Sequence, residues 1–390
     1  MIRLTKKGLQ RVLHGHPWIF RTDLNLQEGQ PTPEPGALVS FAGPDGRVLG
    51  IAAWSPVSSI ALRVLPIDPK GPNGARSTAD LEEAYYDLVR GSLDRRADRP
   101  LACRLCNADA DGLPGLVIDR YNNGISIQAL TWSAYNRLDG IVKILRERFN
   151  PTVIALRNDS KVSEHEGLKH EKRLLYGENS LVFAPIGDLT LTFDLIEGQK
   201  TGGFLDQTDN RIAAAQFARG KCLDCFCYDG GFTCQLAAKG LDVTAVDSSG
   251  PALEKLQANA RNNGLTVTTI EENVFDLLRD YESEGKKFDT IILDPPAFVR
   301  TRAAKAAGRR AYKEINLRAF KLLAPHGRLV TCSCSAHMDR PDFETVVAEA
   351  AADAHRYARV IERRSAAIDH PSMLTAPETD YLKVLFIEVE

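Results

Sequence analysis

The residues best suited to chemistry stand at the ends of apolar runs. Lys221-Cys-Leu-Asp-Cys carries Asp224 and continues into Tyr228-Asp-Gly-Gly, and Asp242-Val-Thr-Ala-Val ends at Asp247. Phe288–Leu293 ends at Asp294-Pro-Pro-Ala-Phe298, and Arg328-Leu-Val-Thr leads into Cys332-Ser-Cys-Ser335. A carboxylate after a strand can accept from a ribose diol, and glycines beside it let a ligand approach the backbone. Two prolines after Asp294 remove N–H donors and fix φ, so the turn is rigid and Phe298 can clamp a flat base. Most strand cysteines are inert core residues. Two of them separated by one serine, leaving a strand for a polar loop, suit a thiolate nucleophile facing the same edge as Asp294.

These positions require strands that end side by side. Strand, glycine turn, helix from Cys234, strand and terminal acid form one unit of a nucleotide-type α/β fold. Further strands are expected at Thr266–Ile270, Phe288–Leu293, Arg328–Thr331 and Tyr381–Val389, with helices after Ser248-Ser-Gly-Pro and over about 303–323. Alternation of this kind gives a doubly wound sheet with its site at the carboxyl edge. Upstream, Ala37–Phe41, Val48–Trp54 and Ile60–Leu65 read as strands of a small all-β module behind a basic, aromatic N-terminal segment. Asp68-Pro-Lys-Gly-Pro-Asn-Gly reads as a linker. A central α+β domain follows, with a helix over 81–97, strands around the Asn122-Asn-Gly turn and a strand from Thr152. The expected domains are 1–72, 73–188 and 189–390.

The chain has 390 residues and a formal net charge of −2, so any nucleic-acid contact must rely on local patches. Lys6, Lys7 and Arg11 make one such patch. Arg300, Arg302, Lys305, Arg309, Arg310 and Lys313, all before the first acid Glu314, make another beside the expected edge. An RNA contact is the expectation for both. Cys103/Cys106 and Cys222/Cys225 have Cys-x-x-Cys spacing, but both pairs lie in strand-like runs, and at Cys222/Cys225 that spacing points the thiols to opposite faces. The expectation is therefore no metal. No apolar run approaches the ~20 residues of a membrane helix, and the N-terminus lacks a signal-like apolar core, so a cytoplasmic protein with no membrane partner is expected. Gly-x-Gly-x-x-Gly is missing, which disfavours a nicotinamide oxidoreductase.

Gln199-Lys-Thr-Gly-Gly-Phe-Leu-Asp-Gln, Asp224-x-Phe-x-Tyr-Asp-Gly-Gly-Phe, Asp247, Asp294-Pro-Pro-Ala-Phe and Ser333-Cys-Ser together resemble class I S-adenosylmethionine-dependent RNA methyltransferases. The resemblance extends to the large-subunit ribosomal RNA cytosine-5 methyltransferases with an N-terminal PUA domain, whose pattern His16-Pro-Trp-Ile-Phe and Ala110-Asp-Gly-Leu-Pro-Gly-Leu also match. It implies an α/β fold: a C-terminal Rossmann-like methyltransferase sheet, an N-terminal β-rich PUA domain and a central α+β domain. It implies S-adenosylmethionine as cofactor, large-subunit ribosomal RNA as partner and 5-methylcytosine in 23S RNA as product; a homodimer is allowed, not required. Lys200, Thr201 and Phe204 would wall the cofactor. Asp224, Phe226, Tyr228 and Gly230 would approach its methionine part, Asp247 and Ser248 its ribose, Asn273 its adenine, with Asp294 beside it. Cys334, four residues after Val330, would attack carbon 6 of a flipped cytosine, and Asp294 would bond the base at N3. Asn273 stands where the family commonly has Asp, and Asp294-Pro-Pro-Ala lacks the second cysteine of many relatives. A methyltransferase acting on guanine without an adduct and a non-catalytic RNA-binding assembly factor are the rival readings.

Overall fold

Parallel strands buried on both faces read as continuous apolar runs, and four such runs organise the C-terminal half of the chain. In the computed structural model, which describes residues 1–26, 31–71, 74–159 and 161–390, these runs belong to a seven-stranded sheet. Its strands are β1 (Lys221–Cys225), β2 (Asp242–Asp247), β3 (Thr268–Glu271), β4 (Phe288–Leu293), β5 (Leu323–Ser333), β6 (Ala358–Arg364) and β7 (Lys383–Val389). The spatial order is β3-β2-β1-β4-β5-β7-β6. The pairs β1/β2, β1/β4, β2/β3 and β4/β5 are parallel, while β7 runs antiparallel to both its neighbours.

Alternation along each strand divides the core in two. Leu223, Cys225, Ile291, Leu293, Leu329, Leu385 and Ile387 face one layer, built from helices Val274–Ser283, Lys305–Leu322 and Arg340–Asp353. Cys222, Ile292, Val330, Cys332, Val384 and Phe386 face the other, which takes Ala214 of helix Thr208–Phe217 and Phe232 and Leu236 of helix Gly231–Ala237. Cys222 and Cys225 therefore point to opposite faces, as their spacing predicts. The sheet is doubly wound, with its order reversing at β1, where such folds open a crevice.

The described residues divide into two contact units. One comprises 1–185, 193–205 and 369–379; the other comprises 186–192, 206–368 and 380–390. The first contains two five-stranded sheets. One joins Ile2–Arg3, Leu38–Ala42, Val48–Trp54, Ile60–Leu65 and Trp18–Phe20; the other joins Glu171–Tyr176, Val153–Asn158, Gly124–Ala129, Leu116–Tyr121 and Ala102–Asn107. The expected boundary at 72/73 and part of the expected linker lie outside the described residues.

Among the helices that escape the sequence reading, three bear on the architecture. Lys6–Leu13, capped by Thr5, interrupts the N-terminal module expected to be all β. Val274–Ser283 is capped by the Asn273 side chain, which accepts from Phe275 N. Arg340–Asp353, capped by Asp339, and the following β6 complete the sheet's far edge.

Candidate active site

The turn after β1 is held in sparsely populated backbone. Phe226 (φ 62°), Tyr228 (φ 48°) and Gly230 (φ 87°) all lie in the left-handed region, which costs free energy for the non-glycine pair. A Cβ on Gly230 would meet Leu256 Cγ at 2.5 Å, and one on Gly231 would meet Arg211 Cζ at 2.2 Å. The double glycine is thus required by close packing as well as by φ. Arg211, which the sequence reading did not single out, lies buried against the start of the helix.

Asp224 is wholly buried. Thr233 Oγ1 donates to its Oδ2 at 2.5 Å, and its Oδ1 has no hydrogen-bond partner among the described residues. Burial pushes its pKa up to about 7; the charge of Asp294 adds to this, while Thr233 and Arg211 oppose it. An orphaned carboxylate oxygen under a strained turn is costly unless something completes it. Asp247 ends β2 half-buried, with Oδ2 accepting from Tyr228 N and Oδ1 from Ser249 N, both at 3.0 Å. It fixes the turn, and each oxygen retains a second lone pair. Ser248 beside it is exposed.

Phe226, Phe275 and Phe298 converge from the β1 turn, the helix after Asn273 and the Asp294 turn. Their ring centroids lie 6.5, 6.3 and 5.8 Å apart pairwise, and each ring is half-buried. A partly open apolar trio suits the flat face of a nucleobase. Phe275 was missed because the helix that presents it was missed.

At the end of β5 the two cysteines part company. Cys332 is still in the strand and fully buried, and burial pushes its thiol well above the ordinary value. Cys334 lies one residue past the strand and is half-buried, its Sγ donating to the Pro295 carbonyl at 3.8 Å. The structure thus brings Cys334 and the Asp294-Pro-Pro turn together. Flanking bonds fasten this exit. Ser333 Oγ donates to Tyr312 Oη at 3.0 Å, Tyr312 Oη and Ser335 Oγ lie 2.9 Å apart, and Val299 N donates to Ser335 Oγ at 3.0 Å. Asp294 Oδ1 accepts from Gln207 Nε2 at 2.9 Å. Gln207 in turn accepts from Asn210 at 2.7 Å, and Asn210 from Arg364 Nε at 2.9 Å, so this chain orients the Asp294 carboxyl group.

Lys200, Thr201 and Phe204 belong to the first contact unit. Thr201 is buried, its hydroxyl donating to Asp119 at 2.6 Å and lying 3.0 Å from Tyr121 Oη; Lys200 Nζ sits 4.6 Å above the Phe204 ring. Lys6 and Lys7 are exposed on the N-terminal helix, whereas Arg11 is paired with buried Asp23 at 2.9 Å and stacked on Phe20.

The basic run after Arg300 is not one-signed in space. Arg309 pairs with Asp342 and Glu349, Lys313 with Glu349 and Asp353, and Lys305 with Asp342, all acids of helix Arg340–Asp353. Arg300, Arg302 and Arg310 are exposed without a carboxylate partner among the described residues. The sequence could not reveal this neutralisation, because the acids follow in a helix that was not read.

Residues 2–66 match the family described as PUA-like domain, and residues 175–386 match the family described as S-adenosylmethionine-dependent methyltransferase. The ribosomal RNA large subunit methyltransferase I of Aeromonas hydrophila subsp. hydrophila is 39% identical over 399 residues, covering 99% of this chain and 98% of that protein. The protein of that name from Shewanella amazonensis is 39% identical over 397 residues, covering 98% of each. Among solved structures, a candidate SAM-dependent methyltransferase from Streptococcus mutans matches with a TM-score of 0.79 at 19% identity. A candidate methyltransferase complexed with SAH matches with 0.82 at 20%. Both cover 100% of each chain, and at such identity they speak to the fold alone.

Proposed function

The chain belongs to the S-adenosylmethionine-dependent methyltransferase family, and from that premise we propose that it forms 5-methylcytosine in large-subunit (23S) ribosomal RNA through a covalent Cys334–cytosine adduct. The RNA target rests on the relatives' printed activity. The base and the adduct rest on one observation above all: Cys334 leaves β5 partly open and touches the Asp294-Pro-Pro turn. We read the chain as PUA-like (1–72), central (73–188) and methyltransferase (189–390) domains.

The site residues fit the cofactor. The orphaned Asp224 Oδ1, the strained Phe226–Gly230 turn and the half-open aromatic trio offer a polar atom, an approachable backbone and an apolar wall. In this reading Asp224, Phe226, Tyr228 and Gly230 meet the methionine part, Asp247 and Ser248 the ribose, and Asn273 the adenine. Bound S-adenosylmethionine supplies the methyl group. Carbon 5 of cytosine is a poor nucleophile unaided. Addition of the Cys334 thiolate to carbon 6 forms a C–S bond and moves the ring electrons toward carbon 5, while a proton passes to N3 along its hydrogen bond with Asp294. Once carbon 5 has taken the methyl group and S-adenosylhomocysteine is released, loss of the carbon 5 proton to solvent, cleavage of the C–S bond and return of the N3 proton restore the aromatic ring and the thiolate.

Nucleoside mass spectrometry of large-subunit RNA from a deletion strain, with and without complementation, tests the product. A missing 5-methylcytosine restored by wild type but not by Cys334→Ser is expected. A missing methylguanosine, or full methyl transfer by Cys334→Ser, would overturn the cytosine mechanism. An unchanged nucleoside profile with no S-adenosylmethionine binding in calorimetry would favour an assembly factor.

A further inference from the structure

Lys383 opens β7 and stands opposite Ser333 in the antiparallel ladder with β5. Only 2% of this residue is exposed. Its Nζ donates to the carbonyls of Ser335 at 2.7 Å and Tyr381 at 2.8 Å. Carbonyls solvate an ammonium without neutralising it, and a buried ammonium lacking a counter-charge is costly. No carboxylate forms an ion pair with Lys383 among the described residues. Asp380, three residues away, is engaged by Arg340 at 3.9 Å, and Asp339 caps the following helix. The ionisable groups facing Lys383 are Cys334, Asp380, Arg340 and Asp339, and Cys334 acts on it most strongly. Burial pulls the amine down to about 8, with Cys334 pulling the other way, so it stays largely protonated at neutral pH.

From the other side, the titratable groups facing Cys334 include Lys383, Tyr312 and Cys332, with the Asp294 turn in contact through Pro295. Burial keeps Tyr312 and Cys332 neutral. Lys383 is the one cation of this set, and it holds the carbonyl of the residue next to the thiol.

We propose that Lys383 is a positioning residue for methyl transfer: moored on the Ser335 and Tyr381 carbonyls, its ammonium is the counter-ion of the Cys334 thiolate and fixes the Ser333–Ser335 exit toward the Asp294 turn. The inference rests on the reading of Cys334 as nucleophile. The thiol proton leaves to solvent, so the reaction cycle starts from an ion pair. A neutral side chain at this position would leave the thiol protonated; a cation tied to the backbone both aims and activates it.

The test is alkylation of Cys334 by iodoacetamide from about pH 5 to about pH 10, read by peptide mass spectrometry on the full chain without RNA or cofactor. Wild type should show a midpoint below the ~8.5 of an ordinary cysteine. Lys383→Met should move it up by about one to two pH units, roughly ten- to a hundredfold less thiolate at neutral pH, while Lys383→Arg stays near wild type. S-adenosylmethionine affinity by calorimetry reports whether each variant is folded. Equal midpoints in wild type and folded Lys383→Met overturn the proposal. If Lys383→Met does not fold, a wild-type midpoint at or above ~8.5 overturns it and a lower one supports it. Titration requires no turnover, so the two readings fail separately. Activity retained by Cys334→Ser removes the covalent mechanism, and an unmoved midpoint removes the role of Lys383.

Discussion

Asp224 shows how one side chain can be poorly placed for stability and well placed for a ligand. The unfolded carboxyl ionises near 3.8, whereas the folded one is raised to about 7, chiefly by burial. The folded state therefore binds that proton more tightly. Its stabilising contribution is complete below pH 3.8 and is lost as pH climbs toward about 7. The cofactor-free protein should lose stability over this window, on the order of a few kcal/mol from this residue. Asp224→Asn should flatten the dependence, seen as a smaller fall in Tm between acid and neutral buffers. Parallel Tm–pH curves for the two proteins would refute the assignment. The same variant should bind S-adenosylmethionine at least tenfold more weakly in calorimetry, since Asn cannot reproduce an anionic acceptor at the orphaned Oδ1.

At the scale of elements, the β1 turn and the basic helix make separate demands. Gly230→Ala must place a Cβ 2.5 Å from Leu256 Cγ at φ 87°. A loss of about 1–3 kcal/mol in urea unfolding is expected, together with weakened cofactor binding. Wild-type stability would show that the turn relaxes freely. Along 300–313, the acids of Arg340–Asp353 sort the cations into two sets. If Arg300, Arg302 and Arg310 meet phosphates, replacing all three by Ala should flatten the slope of log K against log salt by roughly two to three units for ribosomal RNA fragments, while Lys313→Ala leaves it nearly unchanged. Equal effects from both changes would assign the contact elsewhere. This division also marks where sequence reading ends. Strands β1, β2, β4, β5 and β7 are legible as apolar runs, and Asp247, Asp294 and Cys334 stand at the ends of β2, β4 and β5. Helix Arg340–Asp353 carries Glu344, Glu349 and several alanines with only a faint apolar stripe, so the partner that neutralises Lys305, Arg309 and Lys313 gave no periodic signal. Lys383 was unreadable for another reason: nothing in Tyr381-Leu-Lys-Val says that the lysine points inward.

At the scale of the whole chain, contiguous domains read from the sequence and contact units part at 193–205 and 369–379, which return to the first unit after the chain has left it. The reason is chemical. Asp119 is buried, and burial alone would raise its pKa; the Arg104 guanidinium outweighs this, with help from His370 and Thr201, and holds the carboxyl low. Thr201 completes its bonding, Gly203 N donates to buried Tyr121 Oη at 3.1 Å, and Arg157 Nη1 donates to the Leu195 carbonyl at 3.2 Å. A fragment ending at 188 strips Asp119 and Tyr121 of these partners, whereas one ending at 205 keeps them. Tyr121 would lose its partners and Asp119 one of its three, keeping both bonds to Arg104, a cost of about 1–3 kcal/mol. The fragment 1–205 should therefore melt roughly 5 °C above 1–188, and Thr201→Val in 1–205 should close part of that gap. Equal melting temperatures for the two fragments would mean that Asp119 and Tyr121 find solvent or other partners once the segment is gone, and that 193–205 joins the first unit without stabilising it.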